Sequence, residues 1–380
     1  LPSSAGHVKI GYQAAKLNVG QPVTAIGNAV LKDNNGQYHV AIGNSAGRYG
    51  GGSFGAAVGD AAGQRGMNYG SFLGYKAGQF GSGNGNVALG YQAAMGVNGT
   101  STFANTVAVG YQALTALTDG AGNTAVGAET LKATTDGIRN TFLGFQAQRI
   151  QNASYNTGVG FKAMYDTSGN HNTAMGYNAF NAAGGKSYGV AIGSRAAEAA
   201  TNPTGVVAIG SQALVALTTG AGNTAVGYQA GAAVTTGAYN VLIGYAAGDS
   251  ITNGTNNIAL GVNALSTGNH GNSIAIGRDA IGSAASTNSI GIGTSSGRYS
   301  TGGNNTLLGV ESGTGVNGTS TFANTVAVGY QALTALTTGA NNTAIGYQAG
   351  DSVLAGTDNT FLGYRTDIVN GNNSFNTVIG

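Results

Sequence analysis

The chain has 380 residues, of which 69 are glycine, and only 7% are charged, against roughly 25% in ordinary soluble proteins. Its formal net charge of +2 is spread without a block of Lys or Arg, which excludes the concentrated basic face that nucleic acid requires. It has no cysteine and hence no disulfide staple, no run of ~18 apolar residues to cross a bilayer, and no Gly-X-Y triplet of the collagen kind.

In chain order, a short motif closes on a glycine again and again. It reads Val-Lys-Ile-Gly at residues 8–11, Thr-Ala-Ile-Gly at 24–27, Val-Ala-Ile-Gly at 40–43 and Asn-Thr-Val-Ala-Val-Gly at 105–110. It returns as Asn-Ser-Ile-Ala-Ile-Gly at 272–277 and closes the chain as Thr-Val-Ile-Gly at 377–380. There are 23 such marker glycines, and 19 of the 22 intervals between them are 16 or 17 residues. A fixed short period over the full length means one supersecondary unit stacked on itself. The expected fold is all-β: a parallel β-solenoid, a left-handed β-roll of about 22 coils of 16–17 residues, forming one continuous repeat domain over residues 1–380. The start on Leu1-Pro2-Ser3 and the stop on a repeat glycine, Gly380, are expected of a segment of a longer fibre.

The residue before the marker is Val, Ile or Leu in 22 of the 23 cases and Met175 in the other, and the residue before that is Ala in 14. This triplet predicts a very short strand whose side chains alternate between two faces. The aliphatic column is expected to turn into the coil. The Ala column is expected on the other face, where small side chains permit close approach of a second chain. Ala recurs three residues after the marker in 17 of 22 continuing coils. The segment around it, such as Tyr111-Gln112-Ala113 or Tyr347-Gln348-Ala349, predicts a second short strand. Gly and Asn supply positive-φ corners between them, and Lys32-Asp33-Asn34-Asn35-Gly36 reads as a polar turn. Asn stands four residues before the marker in 12 coils and one residue earlier in four more (Asn105, Asn272, Asn288 and Asn324). Stacked amides of this kind brace a buried corner. A coil so thin buries little apolar area alone, so copies of the chain are expected to pack together, most simply as a parallel homotrimer.

Two coils are longer, at residues 91–110 and 310–329, with 20 residues between markers. Residues 96–118 are identical to residues 315–337. Either this is a recent internal duplication, or both coils put out a loop on a contacting side. On the second reading Asn98, Thr100, Phe103, Asn317, Thr319 and Phe322 are candidate contact residues, with the two phenylalanines at the loop base.

An enzyme needs a converging set of ionisable residues. The histidines His7, His39, His171 and His270 are scattered without metal-ligand spacing, and the 13 acids are dispersed. The Asp-bearing calcium nonapeptide is absent. No catalytic residue, cofactor or metal is expected. The recurring Thr106, Thr124, Thr141, Thr157, Thr173, Thr224 and Thr343 would suit an ice-binding face only with two Thr per coil in one plane. An aromatic residue follows the marker in 12 coils. It packs between coils or chains, or else stacks on sugar rings, and packing is preferred.

Residues 272–277 (Asn-Ser-Ile-Ala-Ile-Gly), with the Val-Ala-Ile-Gly cores at 40–43, 190–193 and 207–210, resemble the head repeat of YadA-like trimeric autotransporter adhesins, whose left-handed parallel β-rolls trimerise side by side. The coil here is longer. Its variant at residues 223–231 (Asn-Thr-Ala-Val-Gly-Tyr-Gln-Ala-Gly) and at 342–350 is similar to glycine-rich repeats of bacteriophage tail fibres. The resemblance implies a non-enzymatic, trimeric, extracellular fibre segment used in attachment, most simply in a virion tail fibre. Its partners would be itself and a host cell-surface glycan or protein receptor, with no nucleic acid and no membrane insertion. The alternative is the head domain of a bacterial surface adhesin; more distant are an ice-binding solenoid and a glycan-processing β-helix.

Overall fold

Strands of three residues, each ending one residue before a marker glycine, carry the fold. The computed structural model describes residues 6–17, 22–66, 68–149, 152–182, 184–282, 286–368 and 371–380; the opening Leu1-Pro2-Ser3 lies outside them. The chain is an all-β parallel β-solenoid, with no helix among the described residues. It divides into two compact units, Leu1–Tyr188 and Gly189–Gly380. The first holds eleven three-residue strands from Val8–Ile10 to Thr173–Met175, the second twelve from Val190–Ile192 to Thr377–Ile379. Within each unit, successive strands pair in parallel and in register. Val207, Ala208 and Ile209, for example, lie beside Thr224, Ala225 and Val226.

The faces of the strand are the reverse of the sequence expectation. The middle residue points inward: Ala25, Ala41, Ala208 and Ala275 are fully buried, while the aliphatics on either side of them are exposed or half-buried. The cause is size. The inward Ala shares a narrow interior with the Ala three residues after the marker, as Ala88 does with Ala93 and Ala275 with Ala280, all buried. Where a larger side chain turns inward, a glycine makes room. A Cβ on Gly158 would lie 2.1 Å from the Phe142 ring, and one on Gly248 would lie 2.6 Å from Leu242. Leucines four and seven residues after the marker (Leu114 and Leu117, Leu214 and Leu217) complete the core.

The expected second strand is a turn. After the marker, residues alternate into the left-handed region, as at Gln92 (φ 54°) and Ala94 (φ 45°). Left-handed conformations are uncommon for residues with a side chain, and here 52 of the described non-glycine residues adopt φ > 0. The alternation aims consecutive amides at different neighbours. The Gln92 N–H donates to Tyr75 O of the preceding coil at 2.8 Å, and the Ala94 N–H donates to Ala113 O of the following coil at 2.8 Å. Inter-coil bonds of this kind offset the local strain. The polar turn at 32–36 contains the short strand Asp33–Asn34, which pairs with Tyr49–Gly50.

The asparagines four before the marker form a buried ladder. Asn240 Nδ2 and the Asn240 backbone N–H both donate to Asn223 Oδ1 at 3.0 Å, and Asn240 Nδ2 also reaches Gly254 O at 2.9 Å. Asn105, Asn272, Asn288 and Asn324 do not brace this corner. They are exposed, with φ of 53–54°. In the second unit they belong to an outer amide ladder that runs Asn256, Asn272, Asn288, Asn304, Asn324 and Asn341, then ends on Asp358.

Ala208 is flanked by Ala191 and Ala225 in its column. Ala208→Leu is therefore expected to lower the unfolding free energy by about 1–3 kcal/mol in a denaturant titration. An unchanged midpoint would contradict the narrow Ala-lined interior.

Candidate functional site

The two longer coils do form loops, built alike. Val97-Asn98-Gly99-Thr100 and Val316-Asn317-Gly318-Thr319 are exposed throughout. Each loop is pinned by the serine that follows. Ser101 Oγ accepts from the Val97 N–H at 2.6 Å and donates to Leu117 O at 2.9 Å. Ser320 Oγ does the same with Val316 at 2.6 Å and Leu336 at 2.9 Å.

Phe103 and Phe322 are fully buried, so neither can touch a ligand. Each ring fills the extra space that the longer coil opens in the core; a Cβ on Gly81 would lie 2.4 Å from Phe103 Cζ. The exposed candidates are thus Asn98, Thr100, Asn317 and Thr319, with Val97 and Val316 beside them.

Identical loops have different surroundings. Thr102, at the first, donates to Asp119 Oδ1 at 2.8 Å. At the second, Asn317 and Gly318 border a depression of about 500 Å³ whose lining includes Asn263, Asp279, Arg298 and Tyr299. Asp279 Oδ1 accepts from Asn263 Nδ2 at 3.2 Å, and its Oδ2 lies 3.7 Å from Arg298 Nη1 and 3.9 Å from Arg278 Nε. The two arginines are exposed while Asp279 is half-buried, and pairs this long add little stability.

Aromatic residues stack along the surface in two columns. One follows the marker: Tyr75–Tyr91–Tyr111, Phe145–Phe161–Tyr177, Tyr228–Tyr245 and Tyr330–Tyr347–Tyr364, with ring centroids 5.2–5.5 Å apart. The other, five residues before the marker, escaped the sequence reading, although its fixed offset is visible once sought. It contains Tyr38–Phe54–Tyr69 and Tyr155–His171–Tyr188. A ring inside such a stack has both faces covered by its neighbours, so a pyranose could stack only at the ends of a column.

Several titratable groups with shifted equilibria serve the fold, while burial and then the neighbouring Asp367 carboxyl raise the pKa of Asp351, and burial raises that of Asp249. Lys132 donates to Glu129 Oε1 at 2.6 Å, Gln146 to Glu129 Oε2 at 2.7 Å, and Arg149 lies 3.0 Å away; the Lys132 hydrogen bond leads in lowering the Glu129 pKa. Burial lowers the pKa of both His39 and His270. His39 takes the ladder position of Asn, with Nε2 2.6 Å from Gly52 O and Nδ1 accepting from the Gly55 N–H at 3.2 Å. Lys186 is fully enclosed, donates to Ala182 O, and has its pKa pushed down by burial to about 7, opposed by Asp166. Among the described residues no group of three or more His, Asp or Glu could hold a metal ion, and no helix is long and apolar enough to cross a membrane. No known protein family and no curated protein matches the chain.

The Lys186 shift carries a sign. The folded chain releases a proton that the unfolded chain keeps, so its contribution to stability rises with pH from about 7 towards the ordinary lysine value of about 10.4. Lys186→Met is expected to raise stability at pH 7 and to flatten the rise between pH ~7 and ~9.5. Denaturant midpoints across that range check it, and an unchanged slope would contradict it.

Proposed function

We propose that this chain is a non-enzymatic, homotrimeric fibre segment used in attachment, in the manner of a bacteriophage tail fibre, acting outside the cell as a spacer that presents loops to a host-surface glycan or protein. The observation that carries the reading is the outward side of the strands. Leu73, Leu89, Leu143, Leu260, Leu308 and Leu362 stand at one position of the repeat and are each 43–52% exposed. The exposed aromatic column that follows the marker runs two residues beyond them. Monomeric proteins rarely leave contiguous apolar faces of this kind uncovered. Parallel copies around a three-fold axis would bring the same columns together and close the assembly.

This relocates the expected chain-to-chain contact. Alanines are spent on the interior of the coil, and the aliphatic residues between alanine and glycine are the ones available to a neighbour. The non-enzymatic part of the reading draws on what four of the shifted ionisable groups do. Lys186, His39 and His270 are enclosed, and Glu129 is held by its neighbours, so each has a structural task. The exposed turns at Asn98–Thr100 and Asn317–Thr319 are the parts of the long coils that a receptor could reach.

Sedimentation equilibrium is expected to return three copies, and a stable monomer would overturn the assembly. Leu143→Lys, which would place three like charges about the axis, is expected to shift the equilibrium towards monomer, whereas no shift would place the interface elsewhere. Hydrolysis of a host polysaccharide by this chain alone would overturn the non-enzymatic part.

A further inference from the structure

Asn-Gly pairs occur at residues 35–36, 84–85, 98–99, 253–254, 317–318 and 370–371; Asn370 lies outside the described residues. Such a pair can lose its side-chain amide when the glycine nitrogen reaches the asparagine Cγ. The absence of a Cβ on the glycine permits the approach. The reaction therefore requires that neither the glycine N–H nor the asparagine amide be held.

The fold holds one or both groups at three of the five described pairs. The Gly36 N–H donates to Asn34 Oδ1 at 2.7 Å. The Gly85 N–H donates to Asn68 O at 3.1 Å, and Asn84 Oδ1 accepts from Asn68 Nδ2 at 2.7 Å. The Gly254 N–H donates to Asn269 Oδ1 at 2.8 Å, while Asn253 Oδ1 accepts from Asn269 Nδ2.

The loop pairs are different. The Thr100 N–H donates to Val97 O at 3.3 Å and the Thr319 N–H to Val316 O at 3.2 Å. Gly99 and Gly318 have φ of +87° and +75° and nothing within 4 Å of a Cβ position. This is the type II turn, with glycine third, whose third N–H is not used by the turn. Among the described residues, neither the Gly99 and Gly318 N–H groups nor the Asn98 and Asn317 side chains find a hydrogen-bond partner.

We propose that Asn98 and Asn317 are sites of spontaneous succinimide-mediated deamidation, so that both loop tips acquire carboxylates as the protein ages. Hydroxide removes the Gly99 amide proton, and the nitrogen attacks Asn98 Cγ. The N–Cγ bond forms, the Cγ–Nδ2 bond breaks, and ammonia leaves. Water then opens the ring at either carbonyl to give aspartate or isoaspartate, with no oxidant or reductant involved. Asn317 and Gly318 react in the same way. The two new carboxylates cancel the formal net charge of +2, and one of them stands at the depression that Asp279 and Arg298 line. The inference rests on loop geometry alone and does not require the attachment reading.

The native chain, held at mildly alkaline pH and sampled over time, is read by peptide mapping with mass spectrometry and isoaspartate detection. Asn98 and Asn317 are expected to convert together and ahead of Asn35, Asn84 and Asn253. The loop signal is expected to be lost in Asn98→Gln and Asn317→Gln, whose side chains would have to close a larger ring. In the urea-unfolded chain the five sites are expected to converge. Native conversion led or matched by Asn84 or Asn253, or loops that stay intact throughout, would overturn the proposal.

Discussion

Within each unit, the carbonyl of a marker glycine fills the place where a Cβ on the preceding marker would stand. At Gly210, with φ +133°, that Cβ would lie 2.3 Å from Gly227 O; at Gly277, with φ +131°, it would lie 2.6 Å from Gly293 O. Any other residue would bring both backbone strain and a collision with main chain, which cannot swing away as a side chain can. The contact also fixes register. A slip of one residue would drive an aliphatic or aromatic side chain into the glycine column and turn the strand inside out. With register fixed, the interior is too narrow for much beyond alanine, and the aliphatic residues go outward.

Once coils stack in register, many residues meet their own kind in the next coil, and the composition follows. Amides profit from this, since each both donates and accepts, and aromatic rings stack on rings. Like charges spaced by one strand separation repel, in keeping with a charged content of 7%. Several of the charges that enter a column meet a partner of another kind. Glu129 accepts from Gln146, Asp279 from Asn263, and Gln348 from Arg365. One departure from this economy, the enclosed Lys186, has a strongly lowered pKa.

The glycine period made the solenoid legible, because a constraint imposed once per coil leaves a mark once per coil. The Asn four residues before the marker was legible for the same reason. Which strand face is buried was not, since alternation says that Ile274 and Ile276 share a face and Ala275 takes the other, but not which one is inside. Size was the available signal: an interior shared by Ala88 and Ala93 has no room for two rows of isoleucine. The turn after the marker was read as a strand because nothing in Gln92 or Leu114 announces a left-handed backbone; inter-coil hydrogen bonding imposes it. At the long coils the extra length was visible, whereas the burial of Phe103 and Phe322 depended on the glycines across the core.

The same contact limits what a partner can reach, because the coil interior is closed and the outward columns and the exposed turns of the two long coils form the surface. The direct test of the account compares Gly210→Ala with Gly205→Ala by denaturant unfolding. Gly205 also has a positive φ, +66°, but open space around a Cβ. Its substitution is expected to cost about 1–2 kcal/mol, the left-handed penalty alone. Gly210→Ala is predicted to cost well beyond that or to prevent native folding, and equal costs for the two would contradict the claim that glycine stacking holds the coils in place.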